Sequence, residues 1–300
     1  MRRSEAGVNH RRSWRVLSAL AIAAALTFAS TVALAGGVIV TIVDGRKAKA
    51  DITLPNPGGG NYTAEFEIEF EQDGLVNLTP ECIGITADVL DAAGIANVNQ
   101  RLPHGSTHEG TQVVDTAFPV RITVEPPAAC GLAFDNQYDV SLDTGDLVYT
   151  PPSKYRLMKA PIGQLFQYVT EDVTAGSVRS RGSSGGFSEF VMIRDDNPLY
   201  STDCEDEYDT LQTRLDNAQM SPTARQSLQI DLARSRAAYD ARNYPDAIAM
   251  LAVFDGHCVE FGGAGLPNRW RSTRDLDNVE GDMVGRTGNL RFMMGRLATP

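Results

Sequence analysis

The spacing of apolar residues changes near residue 197, and this change constrains the fold more than any other feature of the sequence. Before it, apolar residues recur at every second position, most clearly in residues 64–71, which read Ala-Glu-Phe-Glu-Ile-Glu-Phe-Glu. Four carboxylates on one face repel one another and must face water, so this run predicts a half-buried antiparallel strand. Turn residues separate further runs of this kind, with no helix-period stretch among them. We therefore expect a β-sandwich over residues 36–197.

The sequence after residue 197 has the apolar period of helices and carries helix-start signals. We expect residues 198–300 to form a small helical bundle of three to four helices, the last of them weak, which makes the fold class α+β by domain. The signals in chain order are a capping box at Thr202 and Glu205, an N-cap at Ser221 before Pro222, a helix from Pro245 to Gly256, and a pattern from Arg274 interrupted by glycines 281, 285, 288 and 295.

Residues 1–35 have the three parts of a signal peptide. Five arginines precede an uncharged run rich in Ala and Leu from Val16 to Leu34, which ends in the small-x-small sequence Ala33-Leu34-Ala35. An uncleaved membrane anchor is the alternative, because residues 16–43 are nearly long enough to span a bilayer. The glycine pair at 36–37 and the β-like run after it favour cleavage. The sequence thus predicts an exported protein, periplasmic or extracellular, with no stable membrane insertion.

The charge balance excludes one class of partner. The chain has 27 basic and 38 acidic residues, and removal of residues 1–35 leaves 22 basic and 37 acidic residues, a net charge of −15. Such a surface repels phosphate backbones, so nucleic acid is not an expected partner. We expect an unidentified protein or another envelope component as the partner, and no cofactor.

All four cysteines, Cys82, Cys130, Cys204 and Cys258, follow the signal peptide. An even number in an exported chain predicts two disulfides, and four cysteines allow three connectivities. Pairing within each domain gives Cys82–Cys130 and Cys204–Cys258. The second pair joins opposite ends of an up-down-up bundle, about 20 Å apart at 1.5 Å per helical residue, whereas a disulfide needs Cα atoms within about 7 Å. Either the loop after Gly256 folds back or the pairing crosses domains.

The helical half carries a family resemblance. The residues that carry it are Asp203-Cys204, Asn243-Tyr244-Pro245-Asp246-Ala247-Ile248, Pro267-Asn268-Arg269-Trp270-Arg271, Arg274-Asp275-Leu276-Asp277-Asn278-Val279 and Leu290-Arg291-Phe292. Over roughly the last hundred residues, this run resembles the C-terminal region of an uncharacterised family of exported bacterial proteins. Its central hairpin is similar to the small helical module called FIMAH. The resemblance implies a helical fold and an exported bacterial protein, and it carries no activity.

Three short segments are candidates for chemistry or binding. His104 and His108 with Glu109 have metal-ligand spacing, although Pro103 and Gly105 predict a loop, and a surface loop is the competing interpretation. Residues 182–186 match G-x-S-x-G, but they lack the strand-turn-helix context of a nucleophile elbow and read as a flexible hairpin turn. Trp270 and Arg271 are a possible interaction spot, since Trp and Arg dominate binding interfaces; the competing interpretation is a loop anchor.

These observations favour a non-catalytic interaction or structural module over an enzyme. The first alternative is a metal-binding protein or metal-dependent enzyme that uses the loop of His104, His108 and Glu109. The second alternative is a carbohydrate-binding sandwich, for which the loosely placed aromatic candidates are Tyr62, Tyr138, Tyr149 and Tyr155.

Overall fold

The computed structural model describes residues 32–34, 37–103 and 112–299. Antiparallel strands occupy the first two thirds and long helices the last third, so the predicted fold class is confirmed. The elements are β1 (Val32–Leu34), β2 (Val38–Val43), β3 (Lys47–Pro55), β4 (Asn61–Phe70), α1 (Pro80–Ile83), β5 (Ile85–Val89), α2 (Ala92–Gln100), β6 (Gln112–Val114), β7 (Val120–Val124), a 3-10 turn (Ala128–Cys130), β8 (Ala133–Asp135), β9 (Tyr138–Thr144), β10 (Tyr155–Ala160), β11 (Gln167–Tyr168), β12 (Asp172–Thr174), β13 (Val178–Ser184), β14 (Glu189–Asp195), α3 (Tyr200–Asn217), α4 (Pro222–Asp240), α5 (Tyr244–Phe261), β15 (Arg269–Arg271) and α6 (Val279–Ala298).

Two sheets pack face to face around one core. The first has the strand order β1-β2-β3-β4-β9-β13-β12, and the second has the order β11-β10-β14-β7-β5 with β6 added beside β14. Their inner faces meet through rings such as Phe66 of β4 and Phe190 of β14, whose centroids lie 5.3 Å apart. The alternation in β4 is confirmed: Phe66, Ile68 and Phe70 are buried, and the intervening glutamates lie on the outer face.

The outer carboxylates of β4 are matched by lysines on the neighbouring strand. The register of β3 and β4 places Lys47 opposite Glu69 and Lys49 opposite Glu67. Lys47 pairs with Glu69 at 2.9 Å and with Glu67 at 3.5 Å, and Lys49 pairs with Glu65. Cross-strand pairs of opposite charge stabilise a sheet modestly. The lysines of β3 therefore offset the repulsion among the glutamates on the outer face of β4.

The sandwich region contains two helices that the sequence analysis does not predict. The longer one, α2, begins after the N-cap Asp91, whose carboxylate accepts a hydrogen bond from the backbone of Gly94. Its Val98 packs with Val191 and Ile193 in a second apolar cluster on the outer face of the second sheet. The near-continuous apolar run of β14 is therefore buried on both faces, which is why it does not alternate.

The helical half contains four helices, α3 to α6, around a separate apolar core. The start of α4 is as predicted, with the Ser221 hydroxyl accepting from the backbone of Ala224. The predicted capping box is wrong, because α3 begins earlier, at Tyr200, and its N-cap Leu199 makes no side-chain cap. The predicted end at Gly256 is also wrong. The helix α5 continues to Phe261, since Phe254 and Cys258 are buried on either side of that glycine.

The glycines of α6 let the helix lie directly on strand β13. A β-carbon at Gly285 would stand 2.5 Å from the carbonyl oxygen of Ser183, and one at Gly281 would stand 2.8 Å from the Cα of Gly185. The helix is twenty residues long and continues through all four glycines that interrupt its sequence pattern. The same contact overturns the predicted flexible turn at 182–186, because Ser183, Ser184 and Gly185 are buried beneath α6.

One of the two predicted disulfides is present. Cys82 and Cys130 are bonded, with Cα atoms 5.4 Å apart. Cys204 and Cys258 are separate buried thiols, so the predicted second disulfide is absent. The two lie at opposite ends of the bundle, Cys204 near the start of α3 and Cys258 near the end of α5. Burial raises the pKa of both thiols well above the usual range and leaves them unreactive.

Thiol counting checks this arrangement. Without reductant, we expect no thiol of the native protein to react with an aromatic disulfide reagent, and two to react after unfolding in denaturant. Reduction before unfolding raises the count to four, because it opens the bond between Cys82 and Cys130. A count of zero in denaturant without reductant would contradict the separate thiols and restore the second disulfide.

The structure bears on only part of the predictions about export and membranes. The predicted signal peptide, residues 1–35, lies outside the described residues apart from Val32–Leu34, which pairs with β2. Among the described helices, none combines the length and the apolar character needed to cross a bilayer.

Candidate ligand site at the junction of sheets and helices

The predicted metal-binding residues His104, His108 and Glu109 lie outside the described residues. Within the described ranges, no group of three or more His, Cys, Asp or Glu side chains is placed to hold a metal ion. The metal-binding alternative therefore stays a prediction from the sequence.

The predicted interaction residue Trp270 belongs to the core. The strand β15 adds to β8 and places Trp270 opposite Phe134. The indole ring stacks on Phe134 with centroids 5.4 Å apart and meets the edge of Phe187 at 4.7 Å. With 8% of its surface exposed, it anchors the helical half to the sandwich, and the expectation of an exposed binding spot is wrong. Arg271 is exposed and pairs with Asp275, so its role in an interaction stays a prediction.

Two of the four tyrosines that are candidates for carbohydrate binding do not lie on the surface. Tyr62 and Tyr138 are buried in the sandwich core. The Tyr138 hydroxyl donates a hydrogen bond to the carbonyl of Gly186, 2.7 Å away. Tyr149 and Tyr155 are half-buried and pack against the same core. An exposed sugar-stacking surface therefore has no support from Tyr62 or Tyr138.

A network of ionisable side chains joins α3 to α6 where both helices meet the sheets. Arg286 donates hydrogen bonds to Glu207 at 3.0 Å and to Asp282 at 3.3 Å. Arg214 donates to Asp282 at 3.0 Å and to Asp277 at 2.7 Å. We call Glu207, Arg214, Asp277, Asp282 and Arg286 the junction network. Its pairs also show that α6 runs antiparallel to α3.

Charge pairing in this network overcomes burial at one carboxylate and not at another. Burial by itself raises the pKa of Asp282, but the guanidinium groups of Arg286 and Arg214 outweigh it and hold that pKa below the usual range. Burial raises the pKa of Glu207 and outweighs its single partner, Arg286. Opposed shifts of this kind are found both in functional sites and in structural ion pairs, so the network marks a candidate site without assigning it a reaction.

Lys159 lies beside this network, in strand β10. Its side chain is 6% exposed, and its ammonium group donates a hydrogen bond to the hydroxyl of Ser184. Burial lowers the pKa of Lys159 to about 8, against the opposing effect of Asp282. At neutral pH most of the molecules therefore carry a positive charge at a nearly dry position.

Two open cavities meet at the junction, and together we call them the junction cleft. The Lys159 compartment has a volume of about 310 Å³ and is lined by Lys159, Ile162, Gly186 and Trp270 among others. The Pro267 compartment has a volume of about 630 Å³ and lies between the end of α3 and the segment before α6. Both compartments are lined by Arg214, Leu276 and Asp277, so they adjoin across these three residues.

The walls of the cleft combine exposed aliphatic side chains with charges that, apart from Lys159, are already paired. Ile162 is 48% exposed, and Leu276 is also exposed. The bond between Arg214 and Asp277 is bidentate and spans the boundary of the two compartments. Volumes of this size are typical of sites for small ligands or short chain segments.

The sequence contains a signal for this site that is not a known motif. Strand β10 reads Tyr-Arg-Leu-Met-Lys-Ala, and five of its six residues are buried, Arg156 and Lys159 included. Long basic side chains are almost never fully buried unless they are paired. A lysine in a short apolar strand is therefore a pointer to a buried charge, although its partners, on β13 and α6, are visible only in the folded structure.

Comparison with known proteins gives a family and no activity. No curated protein matches the chain. The resemblance of the helical half to the FIMAH module stays a prediction. A family model described as a family of unknown function, DUF6689, matches residues 19–298, which is nearly the whole chain. The protein belongs to the DUF6689 family.

Proposed function

We propose that the protein is an exported interaction module that binds a polypeptide segment in the junction cleft. The observation that carries this proposal is that exposed aliphatic residues line an open cavity between the sheets and the helices. Ile162 and Leu276 belong to the sandwich half and the helical half respectively, and both line the Lys159 compartment. Apolar anchors set among paired charges are typical of surfaces that bind protein chains.

Two features support export to the periplasm or the cell exterior. The first is the predicted signal peptide over residues 1–35. The second is the bond between Cys82 and Cys130, since disulfides persist in oxidising compartments.

The contacts within the cleft favour binding over catalysis. The contact of Lys159 with Ser184 joins a base to a hydroxyl, as in a serine-lysine dyad. However, Ser184 is the last residue of strand β13 and is almost completely buried beneath α6. A substrate carbonyl would need to approach that hydroxyl directly, and Ser184, unlike Lys159, lines neither compartment of the cleft. The side chains of the junction network are bonded to one another.

Binding to short random peptides tests the proposal. The purified protein, with its disulfide intact, is applied to two arrays, one with peptides attached by their amino ends and one with peptides attached by their carboxyl ends. We expect a subset of peptides to bind, and Ile162→Asp to weaken this binding at least about tenfold, because a charge replaces an apolar anchor in the cleft.

The matched control is Val148→Asp. Val148 is 75% exposed and does not line the cleft, so the same change of chemistry is made elsewhere on the surface. We expect this variant to bind as the unmodified protein does. Peptide binding that responds equally to both substitutions, or no binding on either array, would overturn the proposed function.

A further inference from the structure

The charged side chains that line the Lys159 compartment differ in whether they have an ion-pair partner. Five charged side chains line it, and four of them form ion pairs inside the protein. Those four are Arg214, Arg274, Asp277 and Asp282, paired with one another or with Glu125 and Arg286. Lys159 is the fifth, and among the described residues no carboxylate lies within ion-pair distance of its ammonium group.

A neutral hydroxyl compensates only part of the cost of burying an ammonium group. An ammonium group has three donors, and the hydroxyl of Ser184 accepts from one of them. The nearby carboxylate of Asp282 is already bonded to Arg214 and Arg286, so it acts on Lys159 only at longer range. A buried ammonium group is stabilised most by an anion in direct contact.

We propose that Lys159 binds the terminal carboxylate of the polypeptide that occupies the junction cleft. The inference rests on the proposed function and names the part of the ligand that enters the Lys159 compartment. A chain end carries its carboxylate on a backbone that can enter a narrow space, and capture of this group is a recurring mode of peptide recognition.

The size and walls of the compartment suit a chain end. Its volume of about 310 Å³ lies at the lower limit of ligand pockets, too small for a folded surface element. Gly185 and Gly186 line it without side chains, beside the edge of Trp270. The larger Pro267 compartment, across Arg214, Leu276 and Asp277, provides room for the residues that precede the terminus.

Peptides whose binding depends on Ile162 test the inference. Each is synthesised twice, with a free carboxylate and with a carboxamide end, and the dissociation constants are compared on the unmodified protein. We expect the amide forms to bind at least about tenfold more weakly, because a charged hydrogen bond to Lys159 is lost. This comparison needs no variant, so a folding defect cannot obscure it.

Substitution of Lys159 is the second part of this experiment. We expect Lys159→Gln to weaken the free-acid peptides to the level of the amides and to leave the amides unchanged. Lys154→Gln is the control, since Lys154 is exposed and pairs with Asp196 outside the cleft. Equal binding of acid and amide forms would overturn the inference, while their dependence on Ile162 would leave the proposed function standing. If no peptide depends on Ile162, the proposed function fails and the inference fails with it.

Discussion

Replacing Gly285 with alanine is expected to destabilise the protein by about 2 kcal/mol or more, although alanine is the better helix former. The added β-carbon would stand 2.5 Å from the carbonyl oxygen of Ser183 and 3.2 Å from the Cα of Ser184. Both atoms belong to the backbone of β13, so no side-chain rotation relieves the contact. The helix α6 must shift off the sheet, and close-packed interiors tolerate such shifts poorly.

Gly295→Ala is the matched control on the same helix. A β-carbon at Gly295 would meet nothing within 4 Å. We therefore expect this variant to gain stability, by about 0.5 to 1 kcal/mol, through helix propensity alone. Urea unfolding followed by circular dichroism gives both values from one assay. Equal effects of the two substitutions would show that α6 does not rest on β13 as described.

The two glycines show which parts of the fold the sequence predicts and which it does not. Local rules predict β4 and the start of α4, because alternation and capping depend on residues a few positions apart. The same rules make α6 weak, since they count each glycine as a local cost. Local rules do not include the benefit of Gly285, which lets α6 contact a strand about a hundred residues earlier in the chain.

The candidate site was predictable to a smaller extent than the fold. Trp270 is a candidate by its residue type alone, but its burial follows from the pairing of β15 with β8. A three-residue strand is too short to show a period, and its partner is distant in the sequence. Lys159 is detectable only as a charge in an apolar strand, and its isolation from carboxylates depends on the contacts of α6.

Burial gives one further carboxylate a large effect on stability. Glu280 lies in the first turn of α6 and is 0% exposed. Neither of its carboxylate oxygens has a hydrogen bond of acceptable geometry from the described residues. Burial raises the pKa of Glu280 to about 7, with further contributions from Glu71 and Asp135, while Asn268 acts in the opposite direction.

The sign of the resulting pH dependence follows from proton binding. The ordinary pKa of a glutamate is about 4.3, so between that value and about 7 the folded protein holds a proton that the unfolded chain releases. The contribution of Glu280 to the free energy of unfolding is therefore highest below about pH 4.3, falls as the pH rises to about 7, and is constant above. A shift of this size corresponds to a loss of about 4 kcal/mol.

Glu280→Gln is expected to remove this loss, because the amide is neutral at every pH and nearly matches the protonated acid in shape. The variant should be more stable than the unmodified protein by up to about 4 kcal/mol near pH 8, and nearly equal to it near pH 4.3. Urea unfolding across this range measures the difference, with Glu260→Gln on the exposed side of α5 as a control that leaves the profile unchanged. A difference between Glu280→Gln and the unmodified protein that does not vary with pH would show that Glu280 ionises freely in the folded state, and that α6 docks without the buried acid.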